Sequence, residues 1–548
     1  INWRPKQKET LKAAIEAIES GYNNVLIDAP VGFGKTIVNY KIAEYLNREY
    51  GHEAFYTTPQ IALIEQIERD PLIGNRVRVI KGRENYPCLA DRRYTAASGK
   101  CRRDRRYKCI LQCMYKVEKV KAMMHWISVM SFAYLIYDRY VPEEYSFGRR
   151  ELIIVDEADD IESWAEEFGS FRFRVSNEFK DIDDVIGWAE ISLKNTKQKI
   201  AEYEAMPYLD DDDLKEYENL KKYEIKLTNF LSHVSRDKDN WVFEKKDDKL
   251  VVKPVRVGEI LYDLLWSRAM IRVCSSGTII DRAMFCKTTG LRLEDTFMIK
   301  VGSIFPVENR PVIYCPIAKM TKELRADNAE AIADAVVKIV EKHAGMRGIC
   351  HAHCYEIAEL IAKKVMNSEI LRKRGIRVGV HDENNRKDVF NKFLNGEIDF
   401  LISVGFNRGI DLKYDLARYQ IIVRVPYPDI SDIRVRELWI NRKAWNWARY
   451  QAIKNIVQAY GRIVRAEDDW GITYIIDESF GHLFRYKSQM PKYFVEAVKE
   501  VSSLDEVEIC PRCGRLVEKD EKMCPRCGEC VGGADEVERV CRVGRQNE

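Results

Sequence analysis

No run of about 18 consecutive apolar residues occurs in the 548-residue chain, so no membrane-spanning helix is expected. The opening residues, INWRPKQKET, are polar and charged, which predicts no secretory leader. Charge of one sign is also scarce: 89 Lys/Arg stand against 86 Asp/Glu, a formal net charge of only +3. Any attraction to polyanions must therefore come from local patches. With 46% hydrophobic and 32% charged residues, folded cores are expected and disorder is excluded as the main state. The length predicts roughly three or four domains. Cysteine, in contrast, is plentiful at fifteen residues. Without export these thiols face a reducing compartment, cytoplasmic or nuclear if the source is eukaryotic, where metal ligation is favoured over disulfides.

Residues 25–36 read VLIDAPVGFGKT. A short apolar strand runs into a glycine-bearing turn, and IVNYKIAEYL follows with helical periodicity. This is the context of a phosphate-binding loop in its relaxed form, Ala29-x4-Gly34-Lys35-Thr36. Gly32 and Gly34 let backbone N–H groups curl around phosphate oxygens. Lys35 is placed to reach the β- and γ-phosphates of ATP, and Thr36 to ligate Mg²⁺. In ELIIVDEADD (151–160) an apolar strand delivers Asp156 and Glu157 at its carboxyl end, where α/β sheets bind ligands. Asp156 suits Mg²⁺, and Glu157 suits orienting and deprotonating a water.

Further on, IDFLISVGFNRGIDL (398–412) sets another strand before a glycine turn, and QAYGRIVR (458–465) follows. Gln458, Arg462 and Arg465 form a Gln-x2-Gly-Arg-x2-Arg pattern, with the arginines on one face if helical. Two such guanidinium groups can offset γ-phosphate charge; in isolation they would read as a surface salt-bridge pair.

In this order the stretches DAPVGFGKT, DEAD, CSSGTI (274–279), VGFNRGIDL and QAYGRIVR resemble a superfamily 2 helicase. The resemblance implies an α/β chain with two RecA-like domains and ATP between them. It also implies that SSGT couples hydrolysis to nucleic-acid binding. WRPKQKE (3–9) resembles the adenine-side motif, with Arg4 and Gln7 as readers; Gly409 and Asp411 join the cofactor-binding set. KGRENYPC (81–88), SVMSFAYLI (128–136) and SIFPVENRPV (303–312) resemble the XPD/DinG branch of iron–sulfur helicases. Two departures stand out. The acidic box ends in Asp159 where that branch more often has His, and the tail after 505 lies outside the family pattern.

Cys88-x12-Cys101-x7-Cys109-x3-Cys113 lacks the paired C-x2-C knuckles usual in structural zinc sites. The spacing reads as a metal site with iron–sulfur and zinc both open; the resemblance implies [4Fe–4S]. Cys109 and Cys113 would share a helix face. Around them stand Arg92, Arg93, Arg102, Arg103, Arg105, Arg106 and Lys108, which with Lys100 make eight basic residues against Asp91 and Asp104, a local charge of +6. They suit tracking a phosphate backbone, or else offset cluster charge or are merely solvated. Tyr86, Tyr94, Phe132 and Tyr134 are candidates for stacking on bases or for packing.

From about 165 to 260 the pattern reads as helical. LKEYENLKKYEIKLTNFLSHV has a near-heptad apolar face, and MPYLDDDD (206–213) marks a turn between two long helices. The resemblance makes this an arch over the DNA path. In the tail, Cys510-x2-Cys513-x10-Cys524-x2-Cys527 predicts a Cys₄ zinc ribbon, a module suited to nucleic acid, to a protein partner, or to stapling a small fold. CHAHC (350–354) reads as a buried strand rather than a metal box. Cys530 and Cys541 are left without a role.

The expected domains are motor domain 1 (1–80, 126–165 and 260–305), an iron–sulfur domain (81–125), a helical arch (166–259), motor domain 2 (306–500) and a zinc ribbon (505–548). The expected activity is an ATP-dependent, 5′→3′ DNA helicase acting on single-stranded and forked DNA in repair or maintenance. The protein is expected to be a monomer off the membrane. Rival readings are an ATPase that remodels protein–nucleic acid complexes, and an ATP-switched nucleic-acid-binding regulator.

Overall fold

The computed structural model describes all residues except 1–2, 110–112, 353, 383, 406–411, 518–520, 522, 525 and 530–548. Two compact units emerge. The first comprises Ile1–Ala29, Phe33–Val301 and Asp429–Trp447; the second comprises Gly302–Pro428 and Ala448–Glu548, with Pro30–Gly32. The two units divide at Val301/Gly302, and Asp429–Trp447 joins the first.

The first unit holds strands β1 (Asn24–Asp28), β2 (Ala54–Thr58), β3 (Arg78–Val79), β4 (Ile127–Ser131) and β5 (Leu152–Asp156). It continues with β6 (Phe171–Arg174), β7 (Trp241–Lys246), β8 (Lys249–Pro254), β9 (Ile271–Ser276) and β10 (Thr296–Lys300). Seven of these form one sheet in the order β10-β1-β9-β5-β2-β4-β3, paired in parallel. Every residue of β1, β2 and β5 is buried, as parallel strands covered on both faces require. That is why VLI and LIIV read as unbroken apolar runs.

The inserted region is not wholly helical. Helices Ile182–Ala205 and Asp211–Val234 form the expected hairpin, with Asp210 and Asp213 making a reciprocal capping box. Beside them β6, β8 and β7 make an antiparallel sheet. Trp241, Leu250 and Val252 are buried there with Phe171 and Phe230. The two-residue turn after β7 uses Asp247 at φ +56°, a hairpin conformation that Asp tolerates. Asp429–Trp447 docks on this region through Lys253–Asp432 (2.5 Å) and the buried Arg434–Glu162 pair (2.7 Å).

The second unit holds β11 (Val312–Ala318), β12 (Gly348–Ala352), β13 (Val378–Val380), β14 (Phe400–Val404), β15 (Tyr419–Ile422), β16 (Ile472–Asp477) and β17 (Val498–Glu500). They form a second parallel sheet, β13-β14-β12-β15-β16-β11-β17. CHAHC begins on β12, and both Cys350 and His351 are buried. A final hairpin, β18 (Glu508–Ile509) and β19 (Leu516–Val517), carries the tail. Among the described residues no helix is long and apolar enough to cross a membrane.

Candidate functional site

At the carboxyl end of β1 the chain turns into helix Lys35–Tyr50. Gly32 and Gly34 take φ of +81° and +82°, the left-handed region that favours glycine. Ala29 is buried and its carbonyl accepts from Lys35 Nζ at 3.4 Å. Gln7 is also buried. Its oxygen accepts from the Arg4 N–H at 2.8 Å, and its Nε2 donates to the Phe33 carbonyl at 2.7 Å. A Cβ at Gly34 would stand 2.6 Å from that Nε2. Gln7 therefore holds the turn's backbone directly.

Parallel register sets Asp156 of β5 beside Ser275 of β9. The Asp156 carboxylate accepts from the Tyr56 hydroxyl at 2.7 Å and from Ser275 Oγ at 3.1 Å. Asn39, one turn beyond Lys35, donates to Ser275 Oγ at 2.7 Å. Thr36 hydrogen-bonds Tyr56. Glu157 adopts φ +52° and lies 3.6 Å from Lys35 Nζ. Its half-buried carboxyl is raised to about 6, chiefly by withdrawal from water; Lys35 opposes the shift, and Asp156, Asp159 and Asp160 add to it. Ser276 Oγ donates to Asp159, so CSSGTI and DEAD meet through side chains. Neither Asn39 nor Tyr56 belongs to a recognisable sequence motif. Asn39 carried one signal, a polar residue at i+4 from Lys35 on the face turned toward the sheet.

Asp28, just before the turn, is buried, and its carboxyl is raised to about 7, chiefly by burial, with Lys300 opposing. It accepts from the Ile280 N–H at 3.2 Å. Ile280 sits at φ +63°, a conformation that costs a β-branched residue about 1–2 kcal/mol.

In the second unit, helix Trp445–Tyr460 carries Gln458 and ends before the arginines. Arg462 and Arg465 are therefore not on a helical face. They lie in the loop after it, where the Arg462 carbonyl accepts from Leu412 N at 3.2 Å and Arg465 N donates to Asp469 at 3.1 Å. The fully buried Asp469 carboxylate also pairs with Arg418 at 2.9 Å and accepts from Tyr414 N at 3.2 Å. Gly409 and Asp411 lie outside the described residues.

Cys88, Cys101, Cys109 and Cys113 line one small cavity with Leu89, Ala96, Gly99 and Tyr107. Gly99 is needed there: a Cβ would stand 2.6 Å from Cys88 Sγ. Among the described residues, only the tail cysteines form a group of three or more His, Cys, Asp or Glu with all ligand atoms within 4.8 Å of one another. The four 88–113 thiols share this cavity, a donor set that suits a metal centre, iron–sulfur or zinc. Cys113 has extended backbone at the N-cap of helix Met114–Met123, and Cys109 lies outside any helix. The two sulfurs do not share a helical face, since Cys113 precedes the first turn.

Much of the basic stretch is engaged within the first unit. Arg102 pairs with Glu218 and Arg103 with Asp211, both on the hairpin. Arg105 donates to the Tyr203 carbonyl at 3.1 Å, and backbone bonds join Arg105 N to Pro207 O and Leu209 N to Arg103 O. Arg93 and Arg106 fold onto Asp91 and Asp104; Arg92 and Lys108 are exposed. The aromatics pack. Phe132 is wholly buried, Tyr86 meets Tyr115 edge-on at 5.7 Å, Tyr134 bonds Tyr115 at 2.9 Å, and Arg103 covers Tyr94 at 3.8 Å.

In the tail, Cys510 and Cys527 sulfurs lie 3.5 Å apart, as do Cys513 and Cys524. Edges of that size match a tetrahedral ion with metal–sulfur bonds of about 2.3 Å. Zn²⁺ fits this donor set.

Two parallel sheets, one carrying a glycine–lysine phosphate turn beside an acidic strand end, define a P-loop motor of the RecA-like type. The helicase C-terminal domain family matches residues 336–497, and the type III restriction enzyme res subunit family matches residues 1–165. The ATP-dependent DNA helicase DinG of Photobacterium profundum is 24% identical over 298 residues, 48% of this chain and 40% of that protein. A probable ATP-dependent helicase of Methanocaldococcus jannaschii is 22% identical over 358 residues, 58% of this chain and 53% of that protein. The chain thus spans about half or less of the length of these curated relatives. A solved XPD helicase superposes with a TM-score of 0.64 at 16% identity, covering 92% of this chain and 100% of that one. Xpd4 of S. tokodaii gives 0.54 at 16%, covering 91% and 100%; identities this low speak for the fold. In its two domain matches and its fold the chain is similar to XPD/DinG-like superfamily 2 helicases.

Proposed function

We propose that this protein is an ATP-driven DNA helicase that moves 5′→3′ on a single strand and parts duplex at its cysteine domain, in DNA repair or maintenance. One observation carries the reading: Lys35 and Glu157 face each other at 3.6 Å while Asp156 and Asp159 are each held by a serine of CSSGTI. When ATP enters, Lys35 turns from Glu157 to the phosphates. Thr36 and Asp156 would hold Mg²⁺, which offsets phosphate charge. Released from its ion pair, Glu157 takes the proton of the attacking water, a role suited to a carboxyl raised toward neutrality. Arg462 and Arg465 act on the developing γ-phosphate charge by virtue of their motif. The Asp159–Ser276 bond passes the state of the acidic strand end to β9, and so to the strand-binding surface.

Cys88, Cys101, Cys109 and Cys113 would hold a [4Fe–4S] cluster, which supplies a four-point cross-link for loops that bury little apolar surface. The name of the DinG relative supports DNA as the substrate.

The deciding experiment uses duplexes with 5′ or 3′ single-stranded tails. Unwinding from the 5′ tail is expected, and a 3′ preference would overturn the polarity. Lys35→Ala should reduce DNA-stimulated ATP hydrolysis by about 10²-fold or more. Hydrolysis without any strand separation would move the protein to the remodelling class.

A further inference from the structure

The tail cysteines are not a detached appendage of the second unit. Arg515, two residues after Cys513, donates to Asn309 Oδ1 at 2.6 Å. Asn309 in turn grips both ends of the loop that follows the arginines. Its Nδ2 donates to the Glu467 carbonyl at 3.1 Å, and its own carbonyl accepts from Gly471 N at 3.0 Å. The Arg515 guanidinium also lies 5.3 Å from the Trp470 ring, which Arg418 covers at 4.8 Å. Arg418 pairs with Asp469, and Asp469 accepts the Arg465 N–H. Among the described residues, Arg515 Nε and Nη2 are buried and have no hydrogen-bond partner.

The knuckle sets where Arg515 can be. Its N–H bonds Cys513 Sγ, and its carbonyl accepts from Cys510 N at 2.9 Å. Gly514, at φ +72°, lies so close to Met346 and Trp470 that a Cβ would meet Met346 at 1.8 Å. Among the described residues the module's own core is Cys510, Val517 and Cys524, with Cys513 and Cys527 packed against them, a core small enough that a metal would order the knuckle.

We infer that the four-cysteine tail is a metal-dependent clamp on the arginine-bearing loop, with Arg515 as its positioning residue, so that zinc occupancy sets the rate of ATP turnover. The inference rests on the hydrolytic reading of Arg462 and Arg465.

Arg515→Ala in the full chain keeps all four cysteines and should keep about one zinc per chain. Its kcat for ATP should fall about 2- to 30-fold with KM little changed, and amides of 461–471 should exchange faster with deuterium. Arg515→Lys, which retains a donor but not the planar group, should recover part of the rate. Cys513→Ser should lose zinc and reproduce both effects. Unchanged kcat, or unchanged exchange across 461–471, in Arg515→Ala overturns the clamp. Arg465→Ala is run alongside: if it hydrolyses ATP normally, the hydrolytic reading falls, independently of what Arg515 does.

Discussion

At Gly34, backbone conformation and contact act together. The residue needs φ +82°, which costs an L-residue about 1–2 kcal/mol, and any Cβ collides with the Gln7 amide. Gly34→Ala should therefore lose nucleotide affinity while the rest of the fold survives, as equilibrium binding of a fluorescent ATP analogue would report. Tyr56→Phe removes one of the two side-chain donors to Asp156. A hydrogen bond to a charged group contributes about 1.5–3 kcal/mol, so denaturant unfolding should show a loss of that order, together with a higher Mg²⁺ requirement for hydrolysis. Ser276→Ala cuts the bond to Asp159. Basal ATP hydrolysis should persist while stimulation by single-stranded DNA drops. At this scale the sequence was most readable: Lys35, Thr36, Asp156 and Glu157 stand on one sheet edge because their motifs follow strands. Asn39 and Tyr56 were not readable, because a polar residue on a buried face announces no partner until the strands are aligned.

Elements make different demands on the same residues. The basic stretch around Cys101 reads as a track for phosphate, yet Arg102, Arg103 and Arg105 dock the cysteine domain onto the helical hairpin. Alanine at Arg103 should loosen that docking, seen as faster deuterium exchange in 203–211. Alanine at the exposed Arg92 and Lys108 should instead weaken single-strand binding and reduce its salt slope by about 0.7 per charge. Charge pattern alone could not separate these groups, since pairing depends on where the distant acids Asp211 and Glu218 fold. The sheet β6–β8–β7 is not legible in the sequence for a related reason. Its strands are short and straddle a helical hairpin, so helical periodicity dominated the window.

For the whole molecule, two buried histidines set an acid limit. Burial lowers His343 to about 3 and His351 to about 4, so both are neutral when folded. Unfolded, each takes a proton near 6.5. Their contribution to stability is complete above that value and is lost as pH falls from 6.5 toward 4 and then 3. Denaturant unfolding at pH 5.5 should show roughly 2–3 kcal/mol less stability than at pH 7.5, and glutamine at both positions should flatten the difference.

The sequence by itself determined the two parallel sheets, the phosphate turn, the acidic strand end and both cysteine sets. Each of these is encoded locally, in apolar runs, glycine spacing and ligand spacing. Only the tertiary structure decided which serine meets Asp156 and which meets Asp159, that Arg102 and Arg105 dock a hairpin about 100 residues away, and that the Cys510–Cys527 module reaches the arginine loop through Arg515. Those are pairings between distant segments, and side-chain pairing at long range follows from strand register and packing, which no local pattern records.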